Sequence, residues 1–100
     1  MNYKKTRKVI HELTASRGAV SNILTGMGID VTRSYHFKIR EEKTPSGFIN
    51  EDGSCYDYGN NEFYYDIVSL LFDGYKCFPT LSEVMIWLCD LLGISHEVRI

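Results

Sequence analysis

Between residues 35 and 59 the chain changes its hydrophobic period, and that change limits what it can fold into. Tyr35, Phe37 and Ile39 alternate with His36, Lys38 and Arg40, the two-residue period of a half-buried strand. Phe48 and Ile49 lie in a second extended stretch. Cys55 to Tyr58 form a third, ended by Gly59, Asn60 and Asn61. Glu51, Asp52 and Gly53 form a turn signal between the last two, so they read as a hairpin. Three strands this short bury too little surface by themselves, so an apolar helical layer must cover one face.

The flanks supply helices. Lys5 to Leu13 carries Val9, Ile10 and Leu13 as a stripe. Ser16 offers an N-cap to a second helix that runs to about Met27. Val20, Ile23, Leu24 and Met27 share one face of it, and Gly26 and Gly28 suit its end. Beyond the strands, Ile67, Val68, Leu70, Leu71 and Phe72 predict a helix over about Phe63 to Phe72, stopped by Asp73-Gly74. Thr80 with Glu83 three residues on fits a capping box for a last helix. Leu81, Val84, Met85, Leu88, Leu91 and Leu92 repeat along it at helical spacing as far as Gly93. The expected architecture is α+β: an N-terminal helical hairpin, a three-stranded antiparallel meander and two C-terminal helices.

A chain of 100 residues with 44% hydrophobic and 24% charged side chains fits a single domain over residues 1–100. It has no apolar run near the roughly 18 residues that a membrane span needs. Met1 to Lys8 is polar and basic and precedes no stretch of signal-peptide character, so the chain reads as cytoplasmic with no membrane partner. Charge is unevenly placed. Residues 1–43 hold nine Lys/Arg against four Asp/Glu, while residues 44–100 hold two against nine. A basic half of this kind suits an anionic partner such as a nucleic-acid backbone, or is simply a solvated surface.

Three cysteines, Cys55, Cys77 and Cys89, are too far apart for a CxxC pair, which argues against a disulfide framework and a structural zinc site. His11, His36 and His96 add no ligand spacing, so all three cysteines read as buried, reduced side chains. No metal and no cofactor is expected. Nucleophile elbow, phosphate-binding glycine loop, HExxH and acidic two-metal cluster are all missing from the sequence, so the chain does not read as an enzyme. Asp57 and Asp66 are read as turn or cap residues before they are read as a carboxylate pair.

Four segments in register resemble a known family. Arg40-Glu41-Glu42-Lys43-Thr44-Pro45-Ser46 followed by Phe48 is similar to the H-x-E-K-T-P-S-F stretch of the zinc-binding domain of bacterial DNA primases. Gly53-Ser54-Cys55-Tyr56-Asp57-Tyr58-Gly59 resembles the W-Y-D-F-G strand of its zinc-less relatives, often carried by mobile elements. Asp66 to Phe72 looks like the family's G-D-x-I-x-F-x-M helix, and Phe78 to Ile94 like its closing helix. The resemblance covers residues 35–94. It departs from the family at Gly47, inserted before Phe48, and at Tyr64-Tyr65, which replace a glycine pair. Phe37 and Arg40 stand where the family carries its first Cys and His.

The resemblance implies a zinc-ribbon-like meander without metal, stabilised instead by its aromatic residues. It also implies a non-catalytic accessory subunit in DNA replication or priming. Such a subunit acts in trans with a DNA polymerase, primase or helicase and binds single-stranded template. Single strands are held by basic grooves and aromatic platforms. The candidate nucleic-acid residues are Arg33, His36, Lys38, Arg40, Lys43, Tyr56 and Tyr58. The alternation puts His36, Lys38 and Arg40 on one strand face, and Tyr56 and Tyr58 on one face of another, either stacking bases or filling core. Trp87, off the main stripe of the last helix, is the candidate partner anchor or an edge of the core. The alternative is a protein-interaction or regulatory module that keeps the fold without binding DNA. The purified protein is expected to keep its circular dichroism spectrum in excess chelator and to carry less than stoichiometric zinc by elemental analysis; unfolding in chelator would refute a metal-free fold.

Overall fold

The structure is a computed structural model and describes residues 3–94, so His96 lies outside the described residues. Two helices, α1 (Tyr3–Leu13) and α2 (Arg17–Gly26), open the chain. Four short strands follow: β1 (His36–Phe37), β2 (Gly47–Ile49), β3 (Cys55–Asp57) and β4 (Glu62–Tyr64). The chain closes with α3 (Ile67–Ser69), which widens into a π-helical turn over Leu70–Tyr75, and with α4 (Leu81–Leu92). The strands form one antiparallel sheet in the order β1-β2-β3-β4. No helix among the described residues is long and apolar enough to cross a membrane.

The caps sit where the side chains direct them. Ser16 accepts a hydrogen bond from the Ala19 N–H, Asp66 from the Ser69 N–H and Thr80 from the Glu83 N–H. Gly93 closes α4 in the left-handed region. Asp66 does more than cap: the Arg7 guanidinium grips its carboxylate through two 3.0 Å bonds and reaches Ser69 Oγ at 2.7 Å. That fork ties α1 to α3 across 59 residues of sequence.

One sheet face builds the core. Phe37, Ile49, Cys55 and Tyr64 point inward and are buried. Ile10 of α1, Val20, Ile23 and Leu24 of α2, Ile67 to Leu71, and Val84, Met85, Leu88 and Cys89 of α4 close over them. Phe37 pairs with Gly47, and the register lays its fully buried ring directly on that glycine. A Cβ there would lie 2.7 Å from two ring carbons. Gly47 is therefore the position that makes room for Phe37. Gly53, at φ +87, turns the β2–β3 hairpin under the Thr14 carbonyl, and the Arg17 N–H donates to Glu51 O at 3.2 Å. The start of α2 is thereby fixed against the hairpin.

Several expectations are corrected. The sheet has four strands rather than three, because Glu62–Tyr64 pairs with β3 instead of starting a helix. Cross-strand burial of Tyr64 outweighs the helical pattern that begins only at Ile67. The first strand is two residues long rather than Tyr35 to Arg40: Tyr35 adopts φ 64, and the chain bends after Phe37. Cys77 is exposed, while Cys55 and Cys89 are buried. Of the aromatic residues expected to replace a metal core, Phe37 and Tyr64 are buried, whereas Tyr58, Phe63 and Tyr65 are largely exposed. Gly47→Ala forces the added methyl into a ring that has no room to move and should cost about 1–3 kcal/mol, measured as a lower urea midpoint.

Candidate nucleic-acid interface

Side chains alternate across a strand, so burying Phe37, Ile49, Cys55 and Asp57 turns their neighbours outward. The register then sets His36 opposite Phe48, Phe48 opposite Tyr56, and Tyr56 opposite Phe63. One ring from each strand thus forms a row crossing the whole outer face. Three inter-strand steps of about 4.8 Å make it about 14 Å long. His36 and Phe48 lie 5.1 Å apart between centroids. Tyr58 meets Tyr56 edge-on at 4.7 Å and extends the surface past the row. Phe63 is 58% exposed and Tyr58 61%, while His36, Phe48 and Tyr56 are half-buried beside their neighbours. Both tyrosines therefore stand outside the core.

Arg17 supplies charge at the β1–β2 end. Its guanidinium lies 4.5 Å from the centre of the Tyr35 ring and 5.4 Å from that of Phe48. Its Nε donates to Ile49 O at 3.0 Å, which fixes the orientation. At the other end, the Tyr56 hydroxyl donates to Asn61 Oδ1 at 3.2 Å, holding that ring in place.

The basic candidates divide. Arg33, in the turn before β1, Lys38, after it, and Lys43, in the β1–β2 connection, are exposed. Lys38 and Arg40 both line an open cleft of about 560 Å³, whose walls also carry Asp30 and Glu41. Arg40 does not share the outer face with His36. The bend after β1 turns it to Asp57, whose carboxylate is fully buried on the inner face. Arg40 forks onto both Asp57 oxygens and also reaches Glu42 Oε2 at 3.3 Å and Ser46 Oγ at 3.1 Å. Its charge is already paired.

Burial alone would raise the Asp57 carboxyl; the Arg40 fork and the Gly59 N–H at 2.9 Å outweigh it and hold the group below its ordinary value. The same balance, with burial opposed by Arg7 and the Ser69 N–H, lowers Asp66. Cys55 differs: burial, assisted by Asp52, pushes its thiol up to about 12, so it stays protonated at neutral pH. Among the described residues no group of three or more His, Cys, Asp or Glu side chains could hold a metal ion. Trp87 packs on Phe78 at 5.7 Å and borders an apolar cavity of about 220 Å³ with Asn22, Ile23, Gly26 and Leu91.

Sequence reading missed Arg17, Phe48 and Phe63 as members of this surface. Phe48 could have been found from the parity of its strand; Phe63 could not, because it falls at the start of the expected helix. Scans against protein-family models, curated proteins and solved structures return no match to this chain.

Both lowered carboxyls stabilise the fold above the unfolded aspartate value of about 3.9, and that contribution is lost as pH falls through their folded values. Circular dichroism should therefore show an acid limb below about pH 4. Asp57→Asn, which cannot titrate, is expected to be less stable at neutral pH and to lose less between about pH 5 and 3.

Proposed function

We propose that this chain is a non-catalytic accessory module of DNA replication or priming. It binds single-stranded template on its outer sheet face and serves a polymerase or primase in trans. The observation that carries the reading is the row His36, Phe48, Tyr56 and Phe63, one ring per strand, with Arg17 lying against one end. Stacking on such rings is worth about 1–3 kcal/mol per base and tolerates any base, because every base has a π face. Aromatic rings gathered on a solvent face mark an interaction surface. The resemblance of residues 35–94 to the primase zinc-binding domain supports the same reading, and the finer zinc-ribbon-like description of the sheet belongs to it. In this view Phe37 and Arg40, at the positions of the family's first ligand pair, replace metal coordination with a buried ring and an ion pair to Asp57.

A second reading, a protein-interaction module without DNA binding, draws on the other side of the molecule. Ile86 and Leu91 of α4 are exposed beside Trp87 and its apolar cavity. That surface suits a partner anchor, and the two readings are compatible in one accessory subunit.

Fluorescence anisotropy with labelled oligothymidylate separates them. The wild-type protein should bind at micromolar concentrations, and Tyr56→Ala or Phe63→Ala should weaken binding by about tenfold, the lower part of the stacking range. No binding at tens of micromolar, even at low salt, would overturn the DNA reading and leave the protein-interaction one.

A further inference from the structure

The outer face does not stop at β4. Tyr65, the residue after that strand, is 60% exposed. One face of its ring is covered by His11 of α1, centroids 4.9 Å apart and planes within 3° of parallel. The exposed side remains open to a further planar group. His11 also fixes which side of α1 borders the sheet. Lys4, Lys8 and His11 recur at i, i+4 and i+7 and so share one helical face, while Thr6 and Ile10 are buried on the opposite one. Lys4 and Lys8 are exposed, and neither makes an ion pair with a described residue. Arg7, by contrast, is held by Asp66. Asp52, which faces His11 across the hairpin, is turned to Ser54, whose hydroxyl and N–H bond it at 2.6 and 3.0 Å, while Glu12 and Glu62 are exposed nearby in sequence. Aromatic rings and exposed cations therefore lie together where β4 leads to α1, and that pairing fits a chain of planar bases joined by phosphates.

We infer that a single nucleic-acid strand leaving the aromatic row at Phe63 continues over the Tyr65–His11 stack and along α1, with phosphates on Lys8 and Lys4. The seven helical steps from Lys4 to His11 add about 10 Å to the path. The inference rests on the single-strand reading above and divides the surface into two parts with different physics. The row holds bases by stacking and contributes little salt dependence, because the one arginine against it, Arg17, is stacked on Tyr35 and Phe48 and tied to the Ile49 carbonyl. The α1 segment holds phosphates and carries most of the counterion release.

The test uses the full chain, oligothymidylates of increasing length and a salt series. Phe63→Ala identifies the shortest oligonucleotide that needs the row. The double variant Lys4→Gln, Lys8→Gln should bind that short oligonucleotide as the wild type does and bind longer ones more weakly. Its salt slope on the longer ones should fall by about 1.4, two phosphates at about 0.7 each for a single strand. Tyr65→Ala should weaken only the longer oligonucleotides. If Phe63→Ala weakens binding while the lysine variant keeps the wild-type slope and affinity at every length, the α1 path is wrong and the row stands. If the wild type binds no oligonucleotide, both ideas fall together. Both lysines are exposed, and unchanged circular dichroism confirms that each variant is folded.

Discussion

The ion pair between buried Asp57 and Arg40, which reaches it from the surface, sets the geometry of the sheet. Asp57 is fully buried, opposite Gly47 on one side and Glu62 on the other. A carboxylate in that position must be paired and hydrogen-bonded, or the strand cannot keep its inner face inward. Arg40, Ser46 and the Gly59 N–H meet that demand together, and Glu42 holds Ser46 from behind through its N–H and hydroxyl. The β1–β2 connection is folded around this cluster. Its closure brings β1 to β2 and sets Phe37 over Gly47. A small sheet with two- and three-residue strands has few ladder bonds, so its register depends on such side-chain constraints.

Register carries the consequence to the surface. A shift of one residue would exchange the faces, exposing Ile49 and burying Phe48. With Asp57, Ile49, Cys55 and Phe37 inside, four aromatic rings stand outside in line. The same carboxylate that fixes the core therefore aligns the candidate binding row. It also removes Arg40 from the set of available cations. Positive charge on this side comes instead from Arg17, placed by the docking of α2 on the hairpin, and from the outer side of α1.

The second arginine–aspartate fork, Arg7 with Asp66, has the matching role at the other end. It anchors α1 to the start of α3, just after Tyr65, whose ring His11 stacks on. Below it, the π-helical turn over Leu70–Tyr75 packs Gly74 on the Tyr64 ring, where an added Cβ would lie 3.2 Å from the ring carbon that bears the hydroxyl. Wide turns of this kind let a helix accept a bulky neighbour at some cost in regular hydrogen bonding. Tyr64 in turn donates to Glu62 at 2.9 Å, so the inner end of β4 is closed by one tyrosine that packs and bonds at once.

Much of the fold was legible in the sequence because it is local. The Ser16, Asp66 and Thr80 caps, the apolar stripes of α2 and α4, and the Gly53 turn each follow from a few neighbouring residues. The α+β class and the helical hairpin follow from them. What failed to read was non-local. Glu62–Tyr64 is a strand only because β3 lies beside it. Arg40 looked like an outward strand residue because nothing nearby in sequence announces Asp57 seventeen positions on. The candidate site divides the same way: the residue types for stacking and charge are written in the sequence. Which rings face solvent, which arginine is already paired and which helix borders the row were decided by tertiary structure alone. The reason is physical. Caps and periodicity depend on energies between near neighbours, whereas the burial of one carboxylate is a property of everything packed around it.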